Sequence, residues 1–258
     1  MMSPEIQTPE AKTSEAQPPL LRISALTKKF GGFTALDNVS VDIRPGERFG
    51  LIGPNGSGKT TLINCISGAF RTEPGTVTFG GEDITRLPPH IRTRRGIARS
   101  FQIPRPFRSM TVAENLMVGL DFAGRADEVV SAGRERDTMM SILTRMGLAS
   151  KADVSTAKLS QVELRKMELA RALATHPKLL VSDEAMAGLS NSEVDEVLDL
   201  LMSLAAQNIT IIMIEHIMQA VMRFSDRVMC LEAGKIIAIG KPEEVMANPR
   251  VQEAYLGT

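Results

Sequence analysis

The chain has 258 residues, 43% of them hydrophobic and 23% charged, with 30 basic side chains set against 30 acidic ones. Such a length supports one larger domain or two small ones, and the balanced charge supplies no global field to draw nucleic acid or anionic lipid. No apolar run approaches the roughly 20 residues of a membrane-spanning helix. The best, NITIIMIEHIM, is broken by Glu215 and His216.

Residues 1–20 are polar and Pro-rich and read as a disordered tail, leaving 21–258 as the ordered domain. Short strands follow in LLRISAL, in VSVDI with its period-2 alternation, and in ERFGLIG. The next stretch, GPNGSGKT at residues 53 to 60, fits G-x-x-x-x-G-K-[ST] and leads into the helical run TTLINCISGAF. A strand, a glycine-rich turn and a helix in that order make a phosphate cradle. Its glycines let backbone N–H groups wrap an anion, Lys59 aims a point charge at the outer phosphates, and Thr60 offers a hydroxyl to Mg²⁺. Gly53, Pro54, Asn55, Gly56, Ser57, Gly58, Lys59, Thr60 and the adjoining Thr61 are therefore the expected nucleotide-binding residues. Cys65 in that helix and Cys230 far downstream lack metal-type spacing and read as reduced, buried thiols.

TVTFGGEDI predicts a strand entering a Gly-Gly turn. The basic stretch HIRTRRGIARSFQIPRPFR reads as a solvated face. Residues of about 103 to 158 lack β-branched runs, and Thr111 with Glu114 forms a capping box, so a helical subdomain is expected there. LSQVELRKMELARAL, residues 159–173, predicts a helix capped by Ser160 with Glu163. The apolar strand KLLVSDE then ends in Asp183 and Glu184, the acidic half of a phosphoryl-transfer site. Asp183 is expected to hold Mg²⁺ through water and Glu184 to polarise the attacking water. A helix capped by Ser190 and Glu193, a further strand in NITIIMIEH, and the pair RVMCL and KIIAIG complete the chain. Strands alternating with helices imply an α/β fold on a mainly parallel sheet.

With these motifs in place the chain resembles the nucleotide-binding subunits of ATP-binding cassette (ABC) transporters, from Leu21 to the end. That resemblance implies a RecA-like P-loop NTPase core with an antiparallel β region and a helical subdomain. It also implies further site residues. Phe30 stands where the family places an aromatic ring against adenine, and Gln102 in ARSFQIPRPF resembles the glutamine that touches metal and water. His216 in MIEHIM resembles the histidine that contacts the γ-phosphate. Within the family, FGGFTALDNVSV, GIARSFQIPRPFRSMTVAENL, IEHIMQAVM and NPRVQEAYLG are similar to the ATP-binding subunits of branched-chain amino acid importers. Urea and short-amide uptake systems look much alike and stay open as alternatives. The implied cofactors are ATP and Mg²⁺. The implied partners are integral-membrane permease subunits, a second ATPase subunit (a heterodimer is favoured, a homodimer remains open) and, indirectly, a periplasmic substrate-binding protein. The implied location is peripheral, on the cytoplasmic face of the inner membrane, with no nucleic acid involved.

One motif departs from the family pattern. The helix at 159 should open with LSGGQ or LSYGQ, whose Ser and second Gly bind the γ-phosphate of ATP held by the opposite subunit. Here it reads LSQVE. Ser160 is kept, Val162 stands in place of a glycine, and Glu163 brings a carboxylate toward a triphosphate. At about 5 Å and an effective dielectric of 20, two unit charges repel by roughly 3 kcal/mol. Weak hydrolysis by the isolated chain, or a purely nucleotide-switched role, is the expected consequence. Ser182 in the strand and Ala185 after the acidic pair are smaller departures that remove no reacting group.

Overall fold

In the computed structural model, residues 17–72, 74–101, 104–123 and 132–256 are described. The first sixteen residues of the expected tail fall outside this set. In chain order the elements are β1 (Leu21–Phe30), β2 (Phe33–Ile43), β3 (Arg48–Ile52), α1 (Lys59–Ser67), β4 (Thr76–Phe79), β5 (Glu82–Asp83), α2 (Pro89–Arg94) and β6 (Ile97–Ser100). Then come α3 (Val112–Ala123), α4 (Ala132–Arg145), α5 (Gln161–Leu173), β7 (Leu179–Asp183), α6 (Asn191–Ala205), β8 (Thr210–Ile214) and α7 (Met218–Phe224). The chain closes with β9 (Arg227–Glu232), β10 (Lys235–Gly240), α8 (Pro242–Met246) and α9 (Pro249–Leu256).

The apolar runs of β7 and β8 are buried at every position, as strands covered on both faces must be. They lie inside a six-stranded sheet of order β10-β9-β3-β8-β7-β6, parallel except for the β10–β9 hairpin. Register aligns its carboxyl edge. Leu51 of β3 pairs with Ile214 of β8, and Ile214 pairs with Asp183 of β7. The loop after β3, the acidic end of β7 and the turn after β8 therefore leave the sheet side by side, where open α/β sheets place their ligands. A second, antiparallel sheet of order β2-β1-β4-β5 shares a core with α1 and one face of the large sheet.

On the opposite face, α3, α4, α5 and α6 enclose a core that includes Leu116, Leu143, Met167, Leu169 and Leu201. Their starts are set by local chemistry. The Thr111 N–H donates to Glu114 at 2.7 Å, a capping box with both reciprocal bonds opens α5 at Ser160, and at the start of α6 the Ser190 N–H donates to Glu193 at 2.8 Å. Among the described residues no helix is long and apolar enough to cross a membrane. Cys65 and Cys230 are free and buried, and burial raises each thiol to about 11.

The basic stretch is not simply a solvated face. Arg92 on the short helix α2 is 2% exposed. Its guanidinium donates to the carbonyls of Cys65 and Ile66 at 2.7 Å and to those of Thr85 and Leu87 at 2.9 Å. The last carbonyls of α1 have no partner within their own helix, and this arginine supplies one.

Candidate active site

The glycine-rich loop joins the end of β3 to α1, with Gly58 as the helix cap at φ +106°. A Cβ at Gly58 would lie 2.7 Å from the Ala35 carbonyl, so glycine is required there. The first N–H groups of α1 have no intrahelical acceptor and point out of the helix start, toward any anion held there. Phe30, Phe33, Ala35, the residues 55–61 and Glu184 line a cleft of about 300 Å³ over this loop.

Lys59 is 7% exposed, and its ammonium donates to the carbonyls of Gly53 at 2.6 Å and Pro54 at 3.0 Å. Burial lowers its pKa, while the nearby carboxylates of Glu184 and Asp183 oppose the shift. Ser57 Oγ is buried with no hydrogen-bond partner beside the loop. An orphaned hydroxyl, an amine held on weak carbonyl acceptors and unpaired helix N–H groups together fit a bound polyphosphate.

Glu184 follows β7 with φ +48°, a left-handed conformation that costs a non-glycine residue strain. It is held by its N–H donating to the Ile214 carbonyl at 2.9 Å. The strained turn aims its carboxylate into the cleft, where Oε1 lies 2.9 Å from His216 Nε2. The carboxylate and the imidazole thus come from two strands adjacent in the sheet. Beneath them sits Glu215, 2% exposed, whose carboxylate accepts the Met186 N–H at 2.9 Å. Burial raises its pKa to about 7, with the Glu184 charge adding to the rise and Arg165 opposing it.

Oxygen donors suit Mg²⁺, which keeps several waters and needs only one or two protein ligands beside the phosphates. The Thr60 hydroxyl and the Asp183 carboxylate provide that donor set, and no cluster of three His, Cys, Asp or Glu among the described residues competes with it. Asp183 is held in place by Arg99, whose guanidinium donates to it at 2.6 Å and to the Asn64 side chain of α1 at 2.6 Å. Sequence reasoning missed this arginine. The only signal was a basic residue three places before the expected Gln102, which itself lies outside the described residues.

Phe30 stands at the cleft rim, 44% exposed, with Phe70 edge-on at 5.3 Å and the Lys28 ammonium 5.2 Å from its ring centre. A half-open aromatic face at a phosphate cleft can stack a base. Phe33, 65% exposed, lines the same cleft and was not foreseen.

Ser160 does not line that cleft. It caps α5, accepting the Glu163 N–H at 3.3 Å, while Glu163 Oε2 takes the Ser160 N–H at 2.9 Å. Glu163 Oε1 pairs with Lys151. That ion pair, with the backbone bond from Ser160, holds the carboxyl below its ordinary range. The negative charge expected to face a triphosphate is thus partnered within the chain. Val162 is half-buried against the helical core. Gln161 and Arg165 both donate to the Ala187 carbonyl, which packs the start of α5 on the turn after the acidic pair.

The ABC transporter family matches residues 36–187, and a family described as branched-chain amino acid ATP-binding cassette transporter matches residues 235–258. The chain is 39% identical over 251 residues to the high-affinity branched-chain amino acid transport ATP-binding protein LivG of Salmonella typhimurium, covering 93% of this chain and 98% of that protein. It is 36% identical to BraF of Pseudomonas aeruginosa, a protein of the same description, with the same two coverages. Among solved structures, the ADP conformation of an ATP-binding cassette of an ABC transporter superposes with a TM-score of 0.84 at 34% identity, covering 93% of this chain and 99% of the other.

Proposed function

The chain belongs to the ATP-binding subunits of ABC transporters, in the branch of the branched-chain amino acid systems, and from that membership we propose that it hydrolyses ATP to energise import of a branched-chain amino acid. The observation that carries the hydrolytic reading is the convergence of Lys59 and Glu184 on one cleft, with His216 bonded to Glu184.

In this reading the N–H groups at the start of α1 hold the phosphates, and Lys59 exchanges the Gly53 and Pro54 carbonyls for phosphate oxygens. Glu184 accepts a proton from the attacking water, and His216 orients that carboxylate and contacts the terminal phosphate. Thr60 and, through water, Asp183 would hold Mg²⁺, with Gln102 as a further ligand, and the ion would supply positive charge to the phosphate oxygens. Phe30 stacks the base.

The permease reading has its own support. A groove of about 580 Å³ between α1, α2 and β6 on one side and α3 and α5 on the other exposes Phe101, Val118 and Phe122 beside Arg105. A patch of that kind suits a short helix from a membrane subunit. The chain then sits peripherally on the cytoplasmic face. Ser160 faces the nucleotide of a second ATPase subunit, and an altered signature on this chain favours a heterodimer. A substrate-binding protein outside the membrane completes the system.

Glu184→Gln tests the core of this reading. The amide keeps the size and the hydrogen bond but cannot take the proton, so ATP binding should persist while turnover falls by about a hundredfold or more. Turnover at the parent rate would remove Glu184 from the reaction.

A further inference from the structure

Helix α9 ends beneath the phosphate loop. It is anchored by Val251, which is fully buried in a small core with Ile52, Val228, Cys230 and Val245. From its last turn the chain's single tyrosine, Tyr255, reaches Gly53, whose N–H donates to the phenolic oxygen at 2.6 Å. Burial pushes the phenol up to about 12, so it remains neutral at physiological pH and keeps its own proton.

Gly53 is the residue on which Lys59 rests. Its carbonyl accepts the Lys59 ammonium at 2.6 Å, while its N–H is taken by Tyr255. Its backbone adopts φ +145°, and a Cβ there would stand 2.1 Å from the Leu231 carbonyl and 2.7 Å from Ser57 Oγ. Both polar groups of Gly53 are therefore committed, one to the C-terminal helix and one to the lysine that faces the cleft. Without the hydroxyl the N–H loses its acceptor, and a glycine with no side chain to hold it spreads over more conformers.

We propose that Tyr255 is a positioning residue for nucleotide binding, holding Gly53 so that the loop and Lys59 are preorganised for the phosphates of ATP. The inference rests on the nucleotide reading of the loop given above. A loop that visits its binding conformation only part of the time binds more weakly by that fraction, yet reacts normally once filled. The effect belongs in affinity, not in the chemical step.

The test compares Tyr255→Phe, which keeps the ring and deletes only the hydroxyl, with the parent, both as the full chain. ATP is titrated by calorimetry without Mg²⁺, and KM and kcat are then measured with Mg-ATP. A rise of roughly three- to tenfold in Kd and KM is expected, the span of one neutral hydrogen bond, with kcat within about twofold of the parent. Val251→Ala, which loosens the anchor of α9 and leaves the hydroxyl in place, should raise Kd in the same direction. An unchanged Kd in Tyr255→Phe, with the parent binding ATP, overturns the proposal. A lowered melting temperature with unchanged Kd also overturns it, since the contact would then be structural only. If the parent itself binds no ATP, the nucleotide reading fails first and takes this inference with it.

Discussion

Around Lys59 the polar groups face a cleft, whereas around Ser160 they face the chain itself. In the loop, Ser57 Oγ has no partner, and the lysine rests on two carbonyls that phosphate oxygens can replace. At the start of α5, Glu163 spends one carboxylate oxygen on Lys151 and the other on the Ser160 N–H, and Val162 packs against the helical core. Both regions are helix N-termini and both can attract an anion. One is open for it, and the other has largely closed on itself. On the proposed reading, the loop half-site is the competent one and the signature half-site the impaired one, which is why a partner with an intact signature is favoured.

The most severe way to break the contrast is Lys59→Ala. At an ATP concentration of a hundred times Kd, ligand binding should stabilise the parent by about 2.7 kcal/mol. The variant should gain almost nothing, as read by thermal melts with and without nucleotide. An equal response would show that the loop side is not the open one.

Glu215 lies between the two regions, next in sequence to His216 and bonded to Met186 in the turn that receives the start of α5. Its folded-state pKa, about 7, lies above the ordinary 4.5. The native state therefore binds the proton more tightly than the unfolded chain does. The resulting stabilisation is complete below pH 4.5, is lost as pH rises through 7, and amounts to about 3 kcal/mol. Glu215→Gln keeps an acceptor for the Met186 N–H and removes the charge. Relative to the parent, the variant should gain stability between pH 5 and pH 8 in denaturant melts, and parallel pH profiles would refute the assignment.

A smaller effect sharpens the signature side. The Lys151–Glu163 pair is partly exposed, so Lys151→Ala should cost under about 1 kcal/mol of stability. Its larger consequence is to release the Glu163 charge. Glu163→Gln should then raise turnover more in the Lys151→Ala background than in the parent. Equal increments in both backgrounds would mean that Lys151 does not offset the charge.

Features set by neighbours in the chain were legible in the sequence. The loop 53–60, the capping residues Thr111, Ser160 and Ser190, and the apolar-rich buried strands ending at Asp183 and Ile214 follow from spacing and local chemistry. The mainly parallel sheet follows from the alternation of strands and helices. What escaped depends on pairs distant in sequence. Arg99 meets Asp183 across 84 positions, and Gly53 meets Tyr255 across 202. Lys151 lies only 12 residues from Glu163, but a turn of 3₁₀ helix folds it back, and no periodicity predicts that. Arg92 was read as solvated because an arginine in a basic run usually is, and only the fold presents it with four carbonyls. The short helices α2, α7, α8 and α9 were not foreseen, since five to eight residues give too little pattern to separate a helix from a loop.

The contrast itself is tested most directly by turnover of the purified chain at saturating Mg-ATP, alongside Val162→Gly, Glu163→Gln and the double variant. The chain alone has only its own signature to offer, so the parent should be slow. The double variant should be faster by roughly tenfold, equivalent to about 1.4 kcal/mol on the barrier, with nearly all of the gain from Val162→Gly because Lys151 already partners Glu163. A parent already as fast as the double variant would contradict the account.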